Sequence, residues 1–428
     1  MKRMERKWIK NKTLGAYVFV FIFPILCWTT CFLNAFALPT SNGVMSNITV
    51  VWSLAEEIEP FSDKSEKTEK EIEEELYNVI EEEIQGLDLG ELQKYVDELN
   101  DGEGSVVQRL LLYIKGERFD YQKFSTQILE VLFRKALEIF PAFACIAAIA
   151  LLSGIVSSLR IGAWANSASD MVFLVSYSAV LIPLVSVLIE CIGQTFTCIE
   201  EMQRQMQLIY PLMLTLMAAS GGTLSAAICR PAVSFFSTAI VAVITSVVLP
   251  LTLVIIVFSI AGNFTQELKI SKFSDFFKST NKWIIGIAVS VFGLFFTLQG
   301  ITAATYDGVV RRAAKYAIGN GIPIVGGFLS GGFDLAIAGG VLIKNALGSL
   351  GIFLMISVLF EPVVLLITVN LLLRLTSAAT QSLGNGRISN LLSETAGNLH
   401  FCMAGLLFTA FLYFISIVLM ICASEVLF

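Results

Sequence analysis

GNGIPIVGGFLSGGFDLAIAGGVLIKN, Gly319 to Asn345, is apolar enough to sit in a bilayer, yet it is crowded with glycine and holds Pro323, Asp334 and Lys344. An ordinary lipid-facing span avoids both features. Glycine at this density lets helix backbones approach closely or lets a helix break. An intramembrane carboxylate or ammonium is costly, and it faces a protein interior or a water-filled cavity. Such a segment in a multi-spanning chain points to moving or gating something rather than to passive anchoring.

The rest of the chain supplies the membrane context. It has 428 residues, 55% of them hydrophobic and only 15% charged, with a mean hydropathy of +0.75. Soluble domains run nearer a quarter charged. From Leu137 onward, apolar runs recur that are as long as the roughly 20 residues a helix needs to cross the hydrocarbon core. The fold class this implies is all-α, a polytopic transmembrane helix bundle of seven or eight spans. The expected spans are 139–159, 171–192, 209–229, 232–259, 283–305, 322–343, 346–372 and 399–424.

Charge divides the chain into three parts. Residues 1–37 carry six basic side chains against one acid, and residues 38–127 carry 21 acids against eight bases. Residues 128–428 are close to balanced, with 15 bases and 13 acids. The first part reads as a secretory signal peptide: a basic head from Lys2 to Lys12, an apolar stretch from Leu14 to Phe32, and Ala35-Phe36-Ala37 as an A-x-A cleavage site. The apolar stretch is longer than usual, so an uncleaved anchor stays open. In either case residues 38–127 are expected to be exported.

That second part reads as an acidic helical region. Ile72, Leu76, Val79, Ile80, Ile84 and Leu87 recur at three- and four-residue steps, the mark of one helix face. Leu89, Leu92, Val96 and Leu99 repeat the pattern, and Val106, Val107, Leu110, Leu111 and Ile114 form a third face after a turn at Asn100–Gly104. The glutamates from Glu66 to Glu83 fit a solvated face better than a patch for a basic partner.

The third part, 128–428, is the membrane domain. Gly193 to Leu208, Asn263 to Lys282 and Arg374 to Asn398 are amphipathic and suit helices lying in the interface. A possible repeat relates 209–305 to 322–424. Pro211 and Pro250 have the same separation as Pro323 and Pro362, and Ser220-Gly221-Gly222 echoes Ser330-Gly331-Gly332. Three crossings per copy would give inverted topology, as in many transporters; re-entrant Gly-rich segments would give parallel copies. The positive-inside rule does not decide. With eight crossings, Arg160, Arg230, Arg311, Arg312, Lys315, Arg374 and Arg387 lie inside, and Arg204, Lys269, Lys272, Lys278, Lys282 and Lys344 lie outside.

No catalytic constellation appears. There is no Walker A loop, no H-E-x-x-H and no G-x-S-x-G, and His400 is the only histidine. The reading is therefore not an enzyme, with no cofactor and no metal. Cysteine is absent from residues 38–127, and Cys145, Cys191, Cys198, Cys229, Cys402 and Cys422 read as small membrane hydrophobes. The buried charges carry the functional interest. Asp334 and Glu361 are candidates for lining a polar path, with Lys344 as counter-charge; a structural ion pair, or Lys344 snorkelling to headgroups, is the plainer account. Gly327 and Gly331 are candidates for tight helix packing, and Pro250 and Pro362 for hinges.

SGGTLSAAICRP at 220–231, GIPIVGGFLSGGFD at 321–334 and LIKNALG at 342–348 occur here in order, behind a signal peptide and an acidic helical region. In this the chain resembles the stage III sporulation protein AE family of endospore-forming Firmicutes, across essentially the whole mature chain. The resemblance implies a protein made in the mother cell and placed in the membrane around the engulfed forespore, with residues 38–127 in the intermembrane space. It implies a channel or export-platform subunit of a transenvelope complex needed for late forespore gene expression. The implied partners are other proteins of the same operon, including an ATPase, and a forespore-side protein; membrane lipid is a partner and nucleic acid is not. The family brings no catalytic residues. A self-contained secondary transporter of a small solute, and a structural scaffold, stay open as alternatives.

Overall fold

The computed structural model describes residues 69–99, 105–114, 121–158, 165–264, 272–295, 326–382 and 386–422. The expected signal segment with Ala35 and Ala37, the turn at Asn100–Gly104, and Pro323 lie outside these residues. Every described regular element is a helix.

Three short helices come first: α1 (Glu69–Gln85), α2 (Gly90–Leu99) and α3 (Val106–Ile114). Their apolar periodicity becomes their buried face, with Ile80, Ile84, Leu92, Val96, Val106 and Leu110 all within 1% of full burial. Local polar contacts fix the ends. The Asp88 carboxylate accepts the Gly90 N–H at 3.4 Å, and Ser105 Oγ accepts the Val107 N–H at 3.3 Å. Gln93 Oε1 accepts the Val106 N–H at 2.6 Å, tying α2 to the start of α3.

The long helices follow: α4 (Tyr121–Ser158) and α5 (Ala165–Ala219, 55 residues). After them come α6 (Thr223–Phe235), α7 (Leu249–Phe264), α8 (272–295) and α9 (Gly326–Ser382, 57 residues). The last two are α10 (Gly386–Asn398) and α11 (His400–Cys422). Two π-helical turns, Phe236–Ile240 and Ile244–Val248, join α6 to α7. The second ends two residues before Pro250, which has no N–H to offer the Ser246 carbonyl, and that widened turn absorbs the defect.

Five runs among the described residues are long and apolar enough to cross a membrane: Phe133–Leu152, Phe173–Ala219, Ser225–Phe264, Leu335–Ser382 and Gly386–Cys422. The bounds of these runs differ from the expected ones because hydropathy places breaks that the backbone does not make, and the end of the expected span 283–305 lies outside the described residues. The stretch Gly193–Leu208, expected to lie in the interface, is the interior of α5. Likewise the expected boundary at Lys344–Asn345 is the interior of α9. Neither place has a proline or a positive-φ glycine to stop a helix, and charged side chains alone do not. The chain does stop at Gly221, whose φ of 86° is the left-handed region that favours glycine. There the Gly222 N–H bonds the Met217 carbonyl at 2.9 Å and the Gly221 N–H bonds that of Ala218 at 3.1 Å, a Schellman closure. The sequence-similar Ser330-Gly331-Gly332 is instead continuous α9 helix.

α5 and α9 run antiparallel. Contacts pair Cys198 with Val358, Gln205 with Leu354, Ile209 with Gly351 and Ser220 with Gly340. The end of α11 lies in the groove between them, where Ile417 and Ile421 meet Gly351 and Gly348. α1 and α3 pack on α9, and α2 on α5.

Candidate polar site on the glycine-rich helix

Asp334, Lys344 and Glu361 all lie on α9. Helical rise separates Lys344 from Glu361 by about 26 Å, and Asp334 from Lys344 by about 15 Å, along one axis. The second distance exceeds the span of a lysine and an aspartate joined by a hydrogen bond. These three residues do not converge on one point.

Lys344 is fully buried, and its Nζ donates to the Ile421 carbonyl at 2.7 Å. Ile421 belongs to the last turn of α11, whose final carbonyls have no partner within the helix. An ammonium there also meets the negative end of the helix dipole. The site exists because Gly340, Lys344, Gly348 and Gly351 share one face of α9, at steps of four, four and three. A Cβ on Gly348 would lie 2.6 Å from Ile421 Cδ1, and one on Gly351 would lie 2.9 Å from Ile417 Cδ1. The bare face lets α11 come close enough for lysine to reach its end. Gly340 plays the same part toward the α5–α6 turn, since a Cβ there would stand 2.6 Å from Ser220 Oγ.

Glu361 binds elsewhere. Its carboxylate lies 2.8 Å from Lys135 Nζ on α4, and Glu138 lies 3.3 Å from the same nitrogen. The Lys135 side chain is 10% exposed, while those of Glu361 and Glu138 are 47% and 57% exposed, so one ammonium is clasped by two half-open carboxylates. Pro362, next in sequence, is buried within α9 and removes the N–H that Val358 O would accept. Cys198 fills that gap: its thiol approaches Val358 O at 3.5 Å.

Glu83 of α1 borders the glycine-rich end. Its Oε2 is buried without a hydrogen-bond partner and lies 3.5 Å and 3.6 Å from where Gly339 and Gly340 would carry a Cβ. Burial pushes its carboxyl pKa upward. At α2, Gln205 Nε2 donates to Tyr95 Oη at 2.9 Å and to the Leu354 carbonyl at 3.2 Å, linking three helices. Arg204 lies 2.7 Å from Glu98 and 5.0 Å over the Tyr95 ring. The guanidinium hydrogen bond holds the Glu98 carboxyl below the usual range. At the far end of the bundle, Glu394 on α10 accepts from Ser259 and, at 3.0 Å, from Asn263.

Sequence reasoning singled out Lys344, Glu361 and Pro362 without their partners. Lys135 and Glu138 lie just before the first expected span, 139–159, and their spacing of three is their only mark. Gly348 and Gly351 fall on the same helical face as Lys344 by spacing alone. The described residues hold no group of three potential metal ligands. Of Gly327 and Gly331, the structure describes only that both sit in α9.

A long-helix bundle with five candidate spans, glycine-faced packing and no assembled catalytic group among the described residues is a polytopic helical membrane protein. The sequence model of the family described as stage III sporulation protein AE matches residues 106–424, and the chain belongs to that family. It is similar to stage III sporulation protein AE of Bacillus subtilis (strain 168). The two are 24% identical over 317 residues, which is 74% of this chain and 79% of that protein. No solved structure matches it.

Proposed function

We propose that this sporulation membrane protein is a channel or export-platform subunit of a transenvelope complex between mother cell and forespore. The observation that carries the reading is the family match, which runs over all the candidate spans. The docking of α1–α3 along α5 and α9 supports it, because it offers a surface outside the spans on which other subunits can assemble. In this proposal Ala35-Phe36-Ala37 is cut by signal peptidase, and α1–α3 lie in the space between the two forespore membranes. Proteins of the same operon, an ATPase among them, and a forespore-side protein are the partners. Asp334 keeps the role of path-lining acid, since it is the one acid of the apolar, glycine-rich segment Gly319 to Asn345. Lys344 and Glu361 hold helices together.

Mild solubilisation followed by affinity capture tests the assembly. Co-purification of other sporulation membrane proteins is expected, and recovery of the chain alone at full yield refutes the subunit reading. Asp334→Asn keeps size and removes charge, so it should block late forespore gene expression at unchanged protein level. Normal sporulation by that variant would remove the polar path and leave a scaffold.

A further inference from the structure

α5 is far longer than a bilayer is thick. Its 55 residues rise about 82 Å, against a hydrocarbon core of about 30 Å. Which part sits in lipid is legible from what it exposes. All the large apolar side chains it exposes fall between Met171 and Phe196. From Thr197 to Ala219 the exposed positions are Thr197, Glu200, Arg204, Gln207, Pro211, Thr215 and Ala219. The hydrophobic residues of that second half are turned inward. Ile209, Met213 and Met217 are fully buried, and Tyr210, Leu214 and Leu216 nearly so.

Two of the helices packed on α5, α4 and α9, change character at the same level. On α4 the exposed large apolar side chains among the described residues run from Phe133 to Ile155, and of the exposed charges Glu130 lies before that run and Arg134 and Glu138 lie in its first six residues. On α9 those among the residues described from Leu335 onward are Ile367, Leu371 and Leu375, whereas from Leu335 to Glu361 only Ser349 and Ser357 are exposed. The Cys198–Val358 contact and the Lys135–Glu361 pair show that Phe196, Glu361 and Lys135 stand side by side. Below them the α4 and α5 collars rise about 33 Å and about 38 Å, the height of a hydrocarbon core crossed at a tilt. Above them, α2 covers α5 through polar contacts, Glu98 with Arg204 and Tyr95 with Gln205.

We propose that on the α4–α5–α9 face the bilayer ends at the Lys135–Glu138–Glu361 cluster. The halves of α5 beyond Phe196 and of α9 before Glu361 then stand in water as a stalk, on the same side as α2, with lipid covering only the collar. The half-exposed carboxylates of Glu138 and Glu361 are then at headgroup depth, where water reaches them, rather than in hydrocarbon, where each exposed charge would be costly. The proposal does not depend on the channel reading, since it concerns the chain's placement in any membrane.

Single cysteines in a chain with its native cysteines replaced, labelled with bimane and reconstituted in vesicles containing brominated phosphatidylcholine, test it. Bromine quenches only dyes that touch acyl chains. Bimane at Ile182→Cys and Leu371→Cys should be quenched severalfold, while Gln207→Cys and Thr215→Cys should be unquenched and should react with an impermeant maleimide from the same side as Asp97→Cys. Quenching at Gln207 or Thr215 overturns the stalk. An unquenched Ile182 overturns the lipid collar and points to a second protein on that face. Unchanged yield and gel-filtration profile of each variant report that the fold is kept.

Discussion

Lys344 gains its place from its neighbours rather than from its charge. It reaches the end of α11 because the face around it is glycine, and it binds a carbonyl that the helix itself leaves without a partner. Lys344→Met removes the donor that reaches that carbonyl. The expected loss is about 1–3 kcal/mol, read as a lower unfolding midpoint in detergent or nanodiscs. An unchanged midpoint would show that the lysine contributes nothing net, as happens for some buried charges. Glu83 makes a prediction of opposite chemical sense. Its folded pKa is raised above the ordinary 4.5, so the folded state binds its proton more tightly than the unfolded state does. Stability should therefore be full below that value and fall as pH rises through the raised pKa. Thermal midpoints of the reconstituted protein against pH should slope downward in this window, and Glu83→Gln should flatten the slope.

At the scale of elements, two long helices adhere through glycine and hold prolines within them. Gly348 and Gly193 are both helical, yet a Cβ on the first would press on Ile421 and a Cβ on the second would meet nothing within 4 Å. Gly348→Leu should force α11 outward and cost about 1–3 kcal/mol or more as overpacking. Gly193→Ala should instead stabilise by up to about 1 kcal/mol through helix propensity. Equal effects of the two changes would dismiss the close-packed face. Pro362 and Cys198 offer a coupled test. Cys198→Ala removes the thiol that approaches the carbonyl freed by the proline. It should cost more in the native background than alongside Pro362→Ala, where a backbone N–H again serves Val358. A double-mutant cycle with no coupling energy would deny that the thiol serves this carbonyl.

For the whole molecule, the three short helices α1–α3 are part of the bundle. Tyr95 is 1% exposed and stands where α2, α5 and α9 are joined through Gln205. Tyr95→Ala should cost about 3 kcal/mol or more as a large-to-small change. It should also open Lys94 and Arg109 to trypsin before the long helices are cut; simultaneous loss of all helices would mean that α1–α3 and the spans unfold as one unit. The amino-acid sequence by itself determined the helical class, the three short amphipathic helices and their buried faces, because a 3.6-residue period and apolar runs are local signals. It also marked Lys344, Glu361 and Pro362 as unusual, since charge and proline in apolar sequence are conspicuous wherever they fall. Tertiary structure alone showed which apolar residues face a neighbouring helix, because hydropathy does not distinguish an apolar side chain facing lipid from one facing another helix. Ile209, Met213 and Met217 read as membrane span, and they are bundle core. Partner choice was equally out of reach. Lys344 meets Ile421 and Lys135 meets Glu361 only because helices distant in sequence pack side by side, and no local pattern encodes which helix that will be.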